Sequence, residues 1–191
     1  MHKVYLFFAD GFEEVEGLTA VDLLRRAGVD AKMVSIMGRK QVTGSHNIKI
    51  ETDLLMEEIK ERADMLVLPG GLPGTDYLRE HQRLAKLLKR QYITGGWVAA
   101  ICAAPSVLGG LGILKDRAAT SYPGCLDGME VGTYQEEEVV VDGHVVTSRG
   151  VGTAIPFALT LIEVLEGKEA ADQIAASIIY KSGENHNESG E

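Results

Sequence analysis

The sequence predicts an α/β fold, in which a mostly parallel sheet carries helices on both faces and an antiparallel hairpin at one edge. Apolar runs of strand length alternate with stretches of helical periodicity through the first two thirds of the chain. The runs Met65–Leu68 and Trp97–Ile101 contain no polar residue, which is typical of strands buried on both faces. Asp142-Gly143 separates two short apolar runs, and this dipeptide is a strong hairpin signal.

The elements can be assigned in order from periodicity and from turn residues. Residues 4–8 predict the first strand, and Glu14–Arg26 predicts an amphipathic helix that ends at Gly28. Pro105 is well placed to begin a helix after the central strand 97–101. The other predicted elements are a strand at 31–36, hairpin strands at 42–44 and 48–50, a short helix at 54–62, one or two helices within 77–92, a short strand at 117–121, hairpin strands at 138–141 and 145–148, and helices at 153–165 and 168–176.

Composition indicates one soluble domain, residues 1–180, followed by a polar tail, 181–191, that we expect to be disordered. The net charge of −9, without a Lys/Arg cluster along the chain, argues against nucleic-acid binding. No apolar run approaches the roughly 20 residues that a membrane span needs. Two cysteines are too few for a disulfide framework, and the N-terminus lacks the cleavage site of a signal peptide, so a cytoplasmic location is expected.

Cys102 is the first candidate for chemistry, because it ends the central strand and precedes a turn of small residues and a helix. This order resembles the nucleophile elbow of hydrolases, with Cys in place of Ser. The amides at a helix start favour thiolate over thiol and can also hold an oxyanion. A free cysteine is also commonly a small buried hydrophobe, and this segment alone leaves both interpretations open.

Glu16 is the second candidate. Acidic residues favour the first turn of a helix, which accounts for Glu13 or Glu14. Gly17 leaves room beside Glu16, and the carboxyl ends of parallel strands bring the first helix start close to Cys102. Since a carboxylate next to a thiolate is unfavourable, one group should keep a proton. A protonated Glu16 that donates to the sulfur would satisfy both groups and serve as a general acid/base.

Other motifs exclude several classes of site. Three carboxylates at the first strand exit argue against a dinucleotide fold, and GGLPGT from Gly70 lacks the Lys of a phosphate-binding loop. We interpret Gly70 and Gly71 as backbone donors near the sulfur. No Cys/His spacing indicates a metal site, so no metal or cofactor is expected. His186 lies in an H-x-E pattern within the polar tail, most simply by chance, and Cys125 is interpreted as an ordinary thiol with an open redox role.

Four blocks occur together in this chain: GFEEVE after the first strand, LPGG at 68–71, AAICAAP at 99–105 and TSRGVGTA at 147–154. With these blocks the sequence resembles the ThiJ/PfpI superfamily, in the branch of the Parkinson's-associated protein deglycase and its bacterial relatives. The resemblance covers roughly residues 3 to 180. It implies a flavodoxin-like three-layer sandwich and a homodimer.

The resemblance also implies a cofactor-independent enzyme that acts on reactive dicarbonyls or their protein adducts, as a deglycase or a glyoxalase. Cys102 would be the nucleophile and Glu16 its partner, with the amides of Gly70, Gly71 and Ala103 around the oxyanion. The alternative is a non-enzymatic sensor or chaperone of oxidative stress that signals by oxidation of the cysteine to sulfinic acid.

Three positions depart from family patterns. Protease-like members carry a histidine where this chain has Ala103, so proteolysis is not expected. Tyr122 stands where another branch has a histidine, and His46 stands where some relatives have an arginine. His46, Tyr122 and Arg149 are the residues expected near the pocket, with Glu16 as the proton carrier.

Overall fold

The computed structural model describes residues 1–181, and residues 182–191 of the expected tail, including His186, lie outside this range. A seven-stranded sheet with the order β10-β11-β7-β6-β1-β2-β5 forms its centre. All neighbouring strands are parallel except β10 and β11, which form the antiparallel hairpin at one edge. The strands are β1 (Lys3–Phe8), β2 (Asp30–Ser35), β3 (Gln41–Thr43), β4 (Lys49–Glu51), β5 (Leu54–Leu55), β6 (Met65–Leu68), β7 (Trp97–Ile101), β8 (Ala118–Ala119), β9 (Thr133–Tyr134), β10 (Val139–Asp142) and β11 (Val145–Ser148).

Helices cover both faces of this sheet, which confirms the predicted α/β fold with an antiparallel edge hairpin. One face packs against α1, α5 and α6, and the other against α2, α3 and α4. No helix in residues 1–181 has the length and apolarity needed to cross a bilayer. The helices are α1 (Glu14–Arg26), α2 (Gly74–Glu80), α3 (Gln82–Ile93), α4 (Pro105–Gly110), α5 (Ala154–Glu166) and α6 (Lys168–Ser177).

The first strand shows why the sheet is covered on both sides. Val4, Leu6 and Phe8 contribute to the core beneath α1 and α5, while Tyr5 and Phe7 contribute to the core on the opposite face. Successive side chains of a strand point to opposite faces, so an uninterrupted apolar run places hydrophobic groups on both. Burial of both sets holds β1 in the middle of the sheet.

Gly17 allows α1 to pack closely on β1. A Cβ at this position would lie 2.7 Å from the Phe8 ring, which is closer than carbon atoms pack. The space expected beside Glu16 is therefore filled by the Phe8 ring. This close approach fixes the height of the first turn of α1 above the carboxyl end of the sheet.

The predicted helix at 54–62 is wrong. Leu54 and Leu55 instead form β5, which pairs with β2, and a short 3-10 turn follows at Met56–Glu58. Pairing with an existing strand edge overrides the local helical pattern, since strand formation depends strongly on tertiary context. The strand expected at 117–121 is also shorter and belongs to a separate two-stranded sheet, β8 with β9.

Candidate active site

The exits of three parallel strands meet at the carboxyl end of the sheet, where open α/β sheets place their ligand crevice. The loop after β1 leads into α1 with Glu16, β6 leads into Gly70, and β7 leads into Cys102. A cavity of about 630 Å³ opens here, and Glu16 and Cys102 both line it. The structure thus brings together the two residues on which the sequence-based hypothesis depends.

Cys102 lies in a backbone conformation that non-glycine residues rarely adopt, with φ of +65°. Two hydrogen bonds hold it in this conformation: its N–H donates to the carbonyl of Ser148 at 3.0 Å, and its carbonyl accepts from the N–H of Tyr122 at 2.8 Å. Such a conformation costs on the order of 1–3 kcal/mol and persists where the surroundings enforce it. The chain therefore turns sharply at Cys102, between β7 and α4.

Gly70 brings the thiol and the carboxyl group together. A Cβ at this position would lie 2.6 Å from the Cβ of Cys102 and 2.7 Å from Oε2 of Glu16. The Gly70 N–H donates to that same Oε2 at 2.9 Å. This amide is therefore engaged with Glu16, and the expected oxyanion donors that remain are Gly71 and Ala103.

Glu16 is almost completely buried, with 1% of its surface exposed. Burial raises the pKa of Glu16 to about 7, against hydrogen bonds with Cys102 and Gly70 that lower it. Its Oε1 has no hydrogen-bond partner among residues 1–181. Glu16 can therefore gain or lose a proton near neutral pH, which a general acid/base requires.

The thiol of Cys102 differs from the expectation of a thiolate at a helix start. Burial and the negative charge of Glu16 raise the pKa of Cys102 to about 12, although the N–H groups of Ala103 and Gly71 lower it in part. Helix α4 has six residues, so its dipole gives limited help. While Glu16 is ionised, the shared proton therefore stays on the sulfur, and Glu16 is the group placed to remove it.

Two of the three expected pocket residues line the cavity. Tyr122 is 55% exposed at its mouth, and Arg149 lies in its wall, where its Nε donates to the carbonyl of Ser121 at 3.3 Å. His46 is not among the lining residues. Its Nδ1 lies 2.8 Å from a carboxylate oxygen of Glu14, and the cavity wall beside it is formed by Glu13 instead.

Glu14 contrasts with Glu16 although both are buried in the same helical turn. Burial alone would raise the pKa of Glu14, but hydrogen bonds from the His46 ring and from backbone N–H groups outweigh it and lower this pKa to about 2. Glu13, Glu14 and His46 have ligand atoms within 4.8 Å of one another. A metal ion there would have to replace the hydrogen bonds that Glu14 and His46 already make, so this group fits a structural role better.

Apart from Arg149, the residues of the loop after β11 were not predicted from the sequence as a wall of the cavity. Gly150 lies in this loop, and a Cβ built on it would be 4.0 Å from Oε1 of Glu16. Thr153 anchors the loop, since its hydroxyl accepts from the Gly150 N–H at 3.0 Å. The signal was present in the TSRGVGTA block, from which only Arg149 was assigned to the pocket.

Within residues 1–181 no histidine lines the cavity. His2 pairs with Glu166, His81 caps the start of α3, and His144 packs against Trp97. Cys102 and Cys125 are both free thiols, and burial raises the pKa of Cys125. The described residues thus offer no imidazole base for Cys102, and Glu16 is the group left for that role.

Comparison with known proteins finds relatives that match most of this chain. The chain is 38% identical over 182 residues to DJ-1 homolog A of Arabidopsis thaliana. It is also 38% identical over 184 residues to the Parkinson disease protein 7 homolog of Danio rerio. It is 34% identical over 165 residues to the glutathione-independent glyoxalase DJR-1.2 of Caenorhabditis elegans. The match to the Arabidopsis protein covers 93% of this chain and 46% of that protein, so the chain spans less than half of it. The match to the Danio rerio protein covers 94% of this chain and 97% of that protein, and the match to the Caenorhabditis elegans protein covers 85% and 87%.

Solved structures show the same relationship. The structure of oxidized Toxoplasma gondii DJ-1 superposes with a TM-score of 0.92 at 36% identity, and the match covers 95% of this chain and all of that one. The family model described as "DJ-1/PfpI family" matches residues 2–164. With this match over most of its length, the chain belongs to the DJ-1/PfpI family.

Proposed function

We propose that this chain is a cofactor-independent enzyme that converts reactive dicarbonyls such as methylglyoxal, or their adducts on proteins, into hydroxy acids. The contact between the thiol of Cys102 and a buried Glu16 carboxyl group with a pKa of about 7 carries the proposal. The relative named glutathione-independent glyoxalase supports the substrate class.

The first step forms a bond between Sγ of Cys102 and the aldehyde carbon of the substrate. Ionised Glu16 takes the thiol proton as the sulfur attacks, because the sulfur does not ionise by itself near neutral pH. The electron pair of the carbonyl moves to its oxygen, and the N–H groups of Gly71 and Ala103, which also lower the pKa of the thiol, would stabilise that charge. The proton held by Glu16 then passes to this oxygen and completes a hemithioacetal.

The second step moves a proton between neighbouring carbons. Glu16, ionised again, removes the proton from the carbon bonded to sulfur, and the electron pair moves through the new C–C double bond onto the ketone oxygen, which gives an enediolate. The hydroxyl proton on the first carbon passes to that oxygen, and Glu16 returns its own proton to the former ketone carbon. The first carbon is thereby oxidised to a thioester and the second is reduced to an alcohol, so no external oxidant or cofactor is consumed. Water then cleaves the thioester, which releases the hydroxy acid and restores the Cys102 thiol.

Among the described residues, the wall of the cavity carries one cation, Arg149, beside the carboxyl groups of Glu13 and Glu16. Arg149 lines the cavity, and it forms no ion pair with a carboxylate in residues 1–181. A guanidinium in this position attracts the carboxylate that forms when the thioester is hydrolysed. Tyr122 at the mouth of the cavity adds a hydroxyl group and an aromatic face.

The decisive experiment measures lactate made from methylglyoxal without glutathione, with the product identified by NMR. We expect Cys102→Ala to lose activity at least 1000-fold and Glu16→Gln at least 100-fold, as general acid/base catalysis contributes roughly 10²–10⁴-fold. Cys125→Ala is the matched control, because it removes the other thiol without touching the cavity lining. Full lactate production by Cys102→Ala would refute the proposal.

A second measurement separates a deglycase from a glyoxalase. Methylglyoxal-modified N-acetylarginine is supplied in a buffer free of amines, together with a scavenger that removes free methylglyoxal. Lactate formation that persists with the scavenger indicates direct attack on the adduct. Lactate that disappears with the scavenger indicates action on free dicarbonyl only.

The alternative function is a redox-responsive protein in which oxidation of Cys102 is the signal. One specific observation favours it: protonated Glu16 is positioned to hydrogen-bond an oxidised sulfur. Mass spectrometry after mild peroxide treatment tests this function. Selective oxidation of Cys102 in a protein that makes no lactate would favour the sensor over the enzyme.

The family resemblance further leads us to propose a homodimer in a reducing, cytoplasmic environment. The two free cysteines support the reducing environment. Sedimentation equilibrium measures the oligomeric state, and a monomer at micromolar concentration would contradict the first part. Fractionation of cells tests the cytoplasmic location.

A further inference from the structure

A second concave site lies at the opposite end of the sheet from Cys102. It is a groove of about 410 Å³ between α3 and the segment 56–63 that leads into β6. Tyr5, Met56 and Leu66, all buried in the core of this face, form its floor, and Ile59 and Leu87 extend the apolar surface outward. This volume falls within the roughly 300–1,000 Å³ of small-molecule sites.

Five cationic side chains surround this apolar floor. Arg83, Lys86 and Arg90 lie on α3 at spacings of three and four residues, which place them along one face of the helix. Lys60 and Arg62 face them from the segment before β6. The sequence shows no Lys/Arg cluster here, because these residues come from two segments about 20 residues apart and only the fold joins them.

These charges are not neutralised within the described chain. None of the five forms an ion pair among residues 1–181, and helix α3 carries no Asp or Glu. The one carboxylate that lines the groove, Glu61, is engaged by Lys3 instead. Concentrated, uncompensated positive charge in a protein with a net charge of −9 indicates a local preference for anions.

We propose that this groove binds a monocarboxylate with an aliphatic tail. The tail would lie against the partly exposed side chains of Ile59 and Leu87, above the buried floor. The carboxylate would lie between Lys86 and Arg90, where charge-assisted hydrogen bonds are available. The concave shape and apolar floor favour a small amphiphile over a flat membrane surface. Cys102 follows the carboxyl end of β7, so this site is separate from the catalytic cavity.

Decanoate is the probe, titrated into the full-length protein and followed by calorimetry and by NMR. We expect submillimolar binding that weakens as NaCl is raised, because salt screens exposed charges. Lys86→Glu/Arg90→Glu should bind at least tenfold more weakly, and so should the milder Lys86→Gln/Arg90→Gln if the first variant misfolds. Lys89→Glu is the matched control, since it changes the same helix outside the groove lining.

The comparison ligands decide what the groove recognises. Decanol, which has the same tail without the charge, should bind at least tenfold more weakly than decanoate, and Cys102→Ala should bind decanoate normally. Equal binding of decanol and decanoate, or equal decanoate affinity in the wild type and in both Lys86/Arg90 variants, would overturn the proposal. So would binding of anionic lipid vesicles without any binding of decanoate.

Discussion

Replacing Glu16 by Gln tests whether a buried carboxyl group near Cys102 holds its proton up to about neutral pH. In the folded protein the pKa of Glu16 is raised from 4.5 to about 7, chiefly by burial. The folded state therefore binds more protons than the unfolded state between these pH values, and the wild type loses stability as pH rises through this window. Gln keeps an oxygen for the Gly70 N–H and does not titrate.

The size of the effect follows from the pKa change. Each pKa unit corresponds to about 1.4 kcal/mol, so ionisation of buried Glu16 costs the folded state about 3 kcal/mol at pH 8 and less than 1 kcal/mol at pH 5. The free energy of unfolding of Glu16→Gln, taken relative to that of wild type, should thus rise by about 2–3 kcal/mol from pH 5 to pH 8. Any fixed effect of the amide on packing cancels in this difference. Both pH values lie below the ordinary thiol pKa of 9.0, so Cys102 adds little.

Glu14→Gln is the matched control, two residues away in the same turn. The pKa of Glu14 is lowered from 4.5 to about 2, so its ionised form stabilises the fold above pH 4.5, and that stability is lost as pH falls toward 2. Its replacement should destabilise the protein at both pH 5 and pH 8. The two substitutions are chemically identical, and only Glu16→Gln is expected to gain about 2–3 kcal/mol of stability relative to wild type between pH 5 and pH 8.

Urea denaturation under reducing conditions, followed by circular dichroism at pH 5 and pH 8, gives the free energy of unfolding for each protein. The reasoning is refuted if Glu16→Gln gains no stability over wild type between the two pH values. In that case the carboxyl group is already solvated or ionised, and the shared proton has no physical basis.

Three further predictions concern the same end of the molecule. Because ionised Glu16 acts as the base, kcat/KM for methylglyoxal should rise with pH with an apparent pKa near 7, and a flat profile from pH 5.5 to 8.5 would contradict this role. Gly70→Ala should lower activity at least 100-fold, since its Cβ would lie 2.6 Å from that of Cys102; unchanged kinetics would show that the site tolerates the shift. Gly17→Ala should destabilise the protein by about 1–3 kcal/mol in urea denaturation, because its Cβ would overlap a phenylalanine ring at 2.7 Å. Gly110→Ala, with nothing within 4 Å of its Cβ, is the control for both glycine variants and should change little.

The sequence by itself predicted the main elements, because apolar periodicity is a local property. Helix α1 at Glu14–Arg26 and strand β7 at Trp97–Ile101 have the expected bounds, and the hairpin around Asp142-Gly143 is at the edge of the sheet. Residues 54–62 were mispredicted because their strand forms only by pairing with β2. Such pairing depends on a neighbour that is distant in the chain, which no local pattern records.

For the site, the sequence determined which groups approach one another, since the carboxyl ends of parallel strands converge. It placed Glu16 near Cys102 correctly. Only the tertiary structure decided their proton balance, because pKa values depend on burial and on contacts from other segments. The structure likewise assigned the Gly70 amide to Glu16. It also gathered the cations of α3 and residues 60–62 around one groove, because side chains distant in sequence become neighbours only when the chain folds.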